Sequence, residues 1–208
     1  MQVLSTGELT ISENNINAKI EYGLKDSHKF DLTDWADPTH SIITDLNTLI
    51  TNASTEGRTI KRAVTSTKVI GYMLKNEEIV DVLASIRQIA TKNTVLGYIR
   101  DQFGIDFVTN DAVYKIEGGD DTTHRFFPEN VISFMDDAEF GKGLFAPTPE
   151  EVAVVGTGNK ADINQFVYLS AWTTPDPVTT WTKGSAVYLP LPLDINSLYI
   201  GTVVESGD

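Results

Sequence analysis

The chain of 208 residues is 41% hydrophobic and carries a formal net charge of -13, so it has enough apolar material for one core or two small ones. It contains no cysteine, which excludes disulfides, thiolate catalysis and cysteine-ligated metal sites, and its three widely spaced histidines offer little for a metal centre. The negative charge argues against a DNA-binding protein, because nucleic-acid affinity depends largely on Lys and Arg.

No stretch has the roughly 18 consecutive apolar residues of a membrane span. Residues 1–7 have neither the basic nor the apolar region of a signal peptide. The sequence therefore predicts an intracellular protein.

The first predicted elements are a β-hairpin and a helix. Residues 9–12 and 18–22 alternate apolar and polar side chains on either side of a polar turn, which predicts two paired strands. A helix is then expected over residues 38–51, with Asp37 as its N-cap and Pro38 at its first helical position. Its apolar face consists of Ile42, Ile43, Leu46, Leu49 and Ile50.

Three more amphipathic segments follow this helix. Residues 52–57 are predicted to end it, and residues 59–64 to form a short strand before Ser66 or Thr67 caps the next helix. The apolar residues at helical spacing are Val69, Ile70, Met73 and Leu74, then Ile79, Val80, Leu83 and Ile86, then Val95, Leu96, Ile99 and Phe103. Gly104 is the expected C′ glycine of the last segment.

Beyond Gly104 the pattern changes to that of β-structure. A turn is predicted at residues 118–121, where two glycines precede two aspartates. The predicted strands are residues 105–109, 113–117 and 131–135, followed after Pro149 by residues 152–155, 166–171 and 186–189.

Charge is distributed unevenly along the chain. Residues 58–100 contain eight basic and three acidic residues, a net charge of +5, whereas residues 101–151 contain three basic and twelve acidic residues, a net charge of -9. Two solvated faces of one domain would account for this asymmetry. Alternatively, the unlike patches meet between neighbouring subunits.

An enzyme-like signal occurs in residues 152–161, where an apolar strand enters a G-x-G-x-x-A pattern with Gly156 and Gly158. In dinucleotide-binding folds such glycines let backbone amides approach a pyrophosphate. That fold needs a following helix and an acidic residue about 20 positions on, whereas Asp176 here lies between two prolines. A plain hairpin turn is the favoured interpretation, and no serine-nucleophile motif occurs.

Two further groups of residues admit alternative roles. A divalent-cation site could be assembled from Asp120, Asp121, His124, Asp136, Asp137 and Glu139. Solvated turns explain these aspartates more simply, because Asp favours local backbone hydrogen bonds. A stacking platform for sugars or bases could be assembled from Trp35, Trp172 and Trp181. Buried packing, with a hydrogen bond to each indole, is the favoured role.

A series of short motifs occurs in a characteristic order. They are Ser5-Thr6-Gly7-Glu8-Leu9-Thr10-Ile11, Tyr22-Gly23, Trp35-Ala36-Asp37-Pro38, Asp45-Leu46, Ala63-Val64-Thr65-Ser66, Leu74-Lys75-Asn76-Glu77, Phe103-Gly104-Ile105, Arg125-Phe126-Phe127-Pro128-Glu129, Pro147-Thr148-Pro149-Glu150-Glu151, Asp176-Pro177-Val178 and Thr182-Lys183. Over nearly its whole length the chain thus resembles the lambda-like capsid E family of tailed-phage major capsid proteins.

The resemblance implies an α+β fold, that of the tailed-phage major capsid proteins, with an axial and a peripheral domain. In that family an N-terminal arm, an extended loop and most of a spine helix precede the Ser-Thr-Gly motif, so they are expected to be absent from a truncated form or fragment such as this. The implied segments are a β-hairpin at residues 1–33, a mainly axial-type α+β domain at residues 34–145 and a β-rich return at residues 146–208.

The resemblance also implies a function: a non-enzymatic subunit of a phage or prophage icosahedral shell, self-assembling around packaged double-stranded DNA. Expected partners are copies of itself in capsomers, with scaffolding and decoration proteins as further candidates, and neither sequence-specific nucleic acid nor a membrane. The expected location is the virion capsid, assembled in the bacterial host cytoplasm. The alternatives are a small nucleotide-binding enzyme using the Gly156-x-Gly158 loop and a non-shell phage structural protein.

The resemblance predicts no catalytic, cofactor-binding or metal-binding residues. If the opposed charges meet between subunits, the interface candidates are Lys61, Arg62 and Lys68 on one side and Asp136, Asp137 and Glu139 on the other.

Overall fold

The computed structural model describes residues 2–13, 16–115, 121–136, 139–148 and 167–203. The chain divides into two compact units, the first formed by Met1–Phe140 with Asp194–Asp208 and the second by Gly141–Leu193. The second unit is therefore an insertion in the sequence of the first. The family resemblance implied another division of the chain, into segments 1–33, 34–145 and 146–208. Those segments were defined by domains of a capsid protein and not by compactness, and they stay a prediction.

The first unit is built from helices and short strands. Its helices are α1 (Gln2–Thr6), α2 (Ile42–Thr55), α3 (Thr67–Lys75), α4 (Glu77–Ser85) and α5 (Lys92–Phe103). Its strands are β1 (Glu8–Glu13), β2 (Ile16–Glu21), β3 (Lys29–Asp31), β4 (Arg62–Thr65), β5 (Asp106–Thr109), β6 (Val113–Lys115), β7 (Thr123–Arg125), β8 (Val131–Met135) and β13 (Tyr199–Thr202). No helix among the described residues is long and apolar enough to cross a membrane.

A mixed five-stranded sheet lies at the centre of the first unit, in the order β3-β13-β8-β4-β5. β13 pairs in parallel with β3 and antiparallel with β8, while β4 pairs antiparallel with β8 and in parallel with β5. β1 and β2 form the predicted hairpin, and β6 pairs with β7. The α+β class is confirmed, although neither β3 nor β13 was predicted.

The central sheet has an apolar core on each face, because successive side chains of a strand point to opposite sides. The larger core combines residues of α2 to α5 with Ala63, Phe134 and Tyr199 of the sheet. The smaller core contains Met135 and Ile200, against which Leu4 of α1 packs. The hydroxyl of Ser133 donates a hydrogen bond to the Leu4 carbonyl, which fixes α1 to β8.

The boundaries predicted for the first long helix were wrong at both ends. The Asp37 carboxylate accepts hydrogen bonds from the backbone and hydroxyl of Thr39 in a tight turn, so it does not cap a helix. Ser41 is the N-cap instead, accepting from the Thr44 amide at 3.2 Å. α2 therefore begins four residues later than predicted and continues through Thr55.

The later helix signals were mostly correct. Ser66 caps α3 by accepting from the Val69 amide, and Gly104 ends α5 with φ of 72°, as a C′ glycine should. Of the predicted apolar faces, Ile86 is the exception, because α4 ends at Ser85 and the Ile86 side chain is 57% exposed.

The described residues of the second unit form two antiparallel strand pairs. Its strands are β9 (Gly141–Ala146), β10 (Tyr168–Pro175), β11 (Val178–Ser185) and β12 (Val187–Pro192). β9 pairs with β12, and β10 pairs with β11. The strands predicted at 166–171 and 186–189 correspond in part to β10 and β12. Neither β9 nor β11 was predicted. The strand predicted at 152–155 lies outside the described residues.

The three tryptophans do not share one environment. Trp35 is 1% exposed and its Nε1 donates to Asp45 Oδ2 at 2.7 Å, which confirms the buried, hydrogen-bonded role. That role was wrong for Trp172 and Trp181, which are 48% and 53% exposed. They face each other across β10 and β11, because their cross-strand register places them opposite.

Candidate functional site

The candidate interface residues of opposite charge are neighbours within one chain. Lys61 donates its backbone N–H to the Met135 carbonyl at 3.0 Å, and Arg62 lies opposite Met135 in the register of β4 and β8. Asp136 directly follows Met135, and its carboxylate accepts from the Thr59 hydroxyl at 3.4 Å. The sheet order thus brings the Lys61-Arg62 pair next to Asp136.

Lys68 belongs to a separate ion-pair network. Its Nζ is 3.8 Å from Glu129 Oε2, and Glu129 is also paired with Arg125. Arg125 Nη1 is in addition 3.3 Å from Asp111 Oδ1. The Asp111 pKa lies below its usual value, chiefly because the Thr67 hydroxyl donates to the carboxylate and also because the Thr67 amide does so. Lys68 therefore forms its ion pair within its own chain.

Several charges of the basic segment are thus balanced by the acidic segment of the same subunit. Besides the Lys68–Glu129 pair, Arg100 Nη1 is 3.6 Å from Asp106 Oδ1 at the start of β5. These pairs are half-exposed and each contributes little to stability. They nevertheless reduce the charge asymmetry that is available to a neighbouring subunit.

Two of the six candidates remain open to solvent without such a pair. Lys61 and Glu139 are exposed, and neither forms an ion pair with another described residue. Asp137 lies outside the described residues. Lys61 and Glu139 are accordingly the candidates best placed for a contact with another molecule.

Two of the sequence motifs meet in space and hold the candidate surface in place. The Ser66 hydroxyl donates to the Glu129 carbonyl at 2.6 Å, and the Thr65 hydroxyl donates to the Val131 carbonyl at 3.1 Å. Phe127 is fully buried. The motif 125–129 is therefore held against the start of α3 by the Glu129 carbonyl, with Phe127 as its buried side chain. Both motifs are visible in the sequence, but their contact depends on the pairing of distant segments and could not be predicted from it.

Replacing Ser66 by alanine is expected to lower the free energy of unfolding by about 1–3 kcal/mol, because it removes both the N-cap of α3 and the bond to Glu129. Urea unfolding followed by circular dichroism measures this loss. Ser85→Ala is the matched control, since the exposed Ser85 hydroxyl bonds only to the Val82 carbonyl at a helix end. An equal loss in both variants would contradict the anchoring role of Ser66.

The other candidate sites gain no support from side-chain positions. Among the described residues, no group of three or more Asp, Glu or His side chains is arranged to hold a metal ion. His124 stacks on Tyr114 with ring centroids 5.4 Å apart, and Lys115 pairs with Asp121 at 2.8 Å. Asp120 and the Gly156-x-Gly158 loop lie outside the described residues.

Solved structures share this fold. A protein assigned provisionally as the capsid protein of a prophage of Escherichia coli CFT073 matches with a TM-score of 0.72 and 16% identity, over 98% of this chain and 60% of that one. A phage-related protein from Bordetella bronchiseptica RB50 matches with a TM-score of 0.57 and 12% identity, over 86% of this chain and 56% of that one. The chain thus spans about three fifths of the length of these proteins.

Sequence comparison gives the family. No curated protein matches the chain significantly. The profile of the family described as phage major capsid protein E matches residues 1–203, which is nearly the whole sequence. The resemblance inferred from the motif order is therefore confirmed, and the chain belongs to the phage major capsid protein E family.

Proposed function

We propose that this protein is a structural subunit of the icosahedral shell of a phage or prophage and assembles with copies of itself around double-stranded DNA. The observation that carries the proposal is the family match over residues 1–203. The fold shared with a prophage capsid protein supports it. Family and fold both imply a structural, non-enzymatic role.

The charge of the chain is compatible with a container for DNA. A formal net charge of -13 opposes tight binding to phosphates, so a packaged duplex would not adhere to a wall of such subunits. Scaffolding and decoration proteins are further proposed partners. The proposed location is the virion capsid, after assembly in the cytoplasm of the bacterial host.

Contacts between subunits are proposed to use the opposed charges at the end of the sheet where β4 begins and β8 ends. Lys61 and Glu139 are exposed and carry opposite charges, so head-to-tail copies could pair them in a repeating contact. The adjacency of Lys61, Arg62 and Asp136 within one chain offers a competing explanation, in which the charges stabilise only the subunit itself.

Two charge-reversed variants separate these explanations. One variant carries Lys61→Glu, Arg62→Glu and Lys68→Glu, and the other carries Asp136→Lys, Asp137→Lys and Glu139→Lys. Each alone is expected to lower the yield of capsomers, because like charges then face each other. Light scattering and negative-stain electron microscopy measure that yield.

Mixing the two variants is the decisive step. In a mixture, each reversed surface can meet a complementary surface on a different molecule, whereas the charges within every molecule remain alike. Recovery of assembly in the mixture would therefore support pairing between subunits. Recovery only when all six changes are combined in one chain would show that the charges act within the subunit. Full assembly by each variant alone would contradict the proposed contact between subunits.

A further inference from the structure

A histidine is completely buried in the first unit although the proposed shell function does not use it. The His28 ring is 0% exposed, at the end of a short 3-10 helix that precedes β3. Its Nε2 is 2.8 Å from Glu56 Oε2, beyond the end of α2, and its Nδ1 is 3.1 Å from the Leu198 carbonyl oxygen. One ring thus bridges three segments that are far apart in the sequence.

Both ring nitrogens face groups that accept hydrogen bonds. A carboxylate and a backbone carbonyl have no proton to give, so each nitrogen must donate. Only the imidazolium form carries a proton on both nitrogens. A neutral ring would point a lone pair at either Glu56 or Leu198, and a buried acceptor without a donor costs free energy.

The remaining surroundings favour the same state of the ring. The Glu56 pKa lies below its usual value, chiefly because His28 donates a hydrogen bond to it, so Glu56 is ionised and cannot supply the missing proton. Tyr199 stacks on the ring with centroids 4.2 Å apart, and the face of an aromatic ring attracts a cation. The Tyr199 hydroxyl has no hydrogen-bond partner among the described residues, so it bonds to neither ring nitrogen of His28.

The charged side chains around His28 form two ion pairs, so their formal charges balance before the charge of the ring is counted. Lys25 Nζ is 3.4 Å from Glu56 Oε2, and Arg58 pairs with Asp194. Arg58 and Asp194 have a raised and a lowered pKa respectively, in each case chiefly through their mutual hydrogen bond. Net charge therefore does not decide the state of the ring, and its two directed hydrogen bonds do.

We propose that protonated His28 is a pH-dependent latch that holds the start of β3 and the Leu198 segment to the end of α2. Lys29 directly follows His28 and pairs with Ile200, so the latch lies at the junction of β3 with β13. Loss of the proton leaves one ring nitrogen without a hydrogen to donate, so one of the two ring bonds is lost and this edge of the sheet loosens. The inference concerns this chain's own fold and does not depend on the proposed shell function.

The direction of the pH effect follows from the two partners. Stability from the doubly protonated ring is present at low pH and is lost as the pH rises and the ring gives up its second proton. Stability from Glu56, whose pKa is lowered, is present above its unfolded-state value and is lost as the pH falls through the lowered folded-state value. The latch should therefore hold in a window between these limits.

Nuclear magnetic resonance tests the proposal on the unmodified protein. The His28 ring ¹⁵N shifts should report two protonated nitrogens at about pH 6. The Leu32 amide, which bonds to the Thr202 carbonyl at 2.7 Å, reports the β3 edge by hydrogen exchange. The Asn110 amide, bonded to the Thr65 carbonyl at 2.8 Å beside β5, is a matched reporter at the opposite edge.

Between about pH 6 and pH 8.5, the protection factor of the Leu32 amide should fall about tenfold, whereas that of Asn110 should change less than about threefold. Glu56→Gln should flatten the Leu32 response, because a neutral amide can either accept from the ring or donate to it. His124→Gln is the control, since it removes a histidine outside the latch and should leave the response intact. An unprotonated ring nitrogen at about pH 6, a constant Leu32 protection factor, or an unchanged response in Glu56→Gln would each overturn the proposal.

Discussion

Trp35→Ala is expected to lower the free energy of unfolding by about 3–5 kcal/mol. Trp35 is among the largest fully buried side chains, and it packs in the larger core of the first unit. Alanine leaves a cavity there and removes the hydrogen bond from the indole to Asp45, which also accepts from His40 Nε2 at 2.8 Å. Urea unfolding followed by far-ultraviolet circular dichroism measures the loss.

Two companion variants make the Trp35 result specific. Trp181→Ala removes the same atoms from a side chain that is 53% exposed, so a loss below about 1 kcal/mol is expected. Trp35→Phe keeps most of the apolar volume but removes the indole donor, and an intermediate loss is expected. Equal losses for Trp35→Ala and Trp181→Ala would contradict the assignment of Trp35 to the core.

Asn76→Ala is expected to cost about 2–4 kcal/mol, because one fully buried side chain makes three hydrogen bonds. Its oxygen accepts from the Ile79 amide at 3.2 Å and caps α4, while its nitrogen donates to the carbonyls of Pro38 at 3.2 Å and His40 at 2.7 Å. Alanine leaves the buried Ile79 amide without its acceptor and removes both side-chain bonds to the turn before α2. The unfolding midpoint in urea, with the slope held constant, gives the loss.

Thr91→Ala is the matched control for Asn76, since Thr91 caps α5 at an exposed position and loses about 1 kcal/mol on truncation. Asn76→Asp separates the two roles of the side chain, because aspartate can still cap α4 but cannot donate to Pro38 and His40. A loss in Asn76→Ala no larger than that in Thr91→Ala would show that the two carbonyl contacts contribute nothing.

Local signals in the sequence predicted the helical part of the fold well. Ser66 and Gly104 act on the backbone within a few residues, so their effects do not depend on the rest of the chain. The start of α2 shows the limit of such signals. Asp37 and Ser41 were both competent caps, and the choice depended on the turn that Asp37 forms with Thr39.

The sheet order and the candidate site depend on pairing between distant residues, which short patterns do not contain. β3 and β13 have three and four residues, too few to show a period. The alignment of Arg62 with Met135 places basic and acidic candidates side by side, although the sequence separates them widely. The charge asymmetry was visible in the sequence, but its partial cancellation within one subunit required the sheet.

The position of β13 has a consequence for synthesis of the protein. This strand is the last element of the first unit among the described residues, yet it lies inside the sheet, between β3 and β8. A ribosome adding about 5–20 residues per second needs several seconds to extend the chain from the end of β8 to β13. During that interval β3 has no neighbour in the sheet, and β8 is paired on one side only. The central sheet of a nascent chain therefore stays incomplete until translation has passed residue 202.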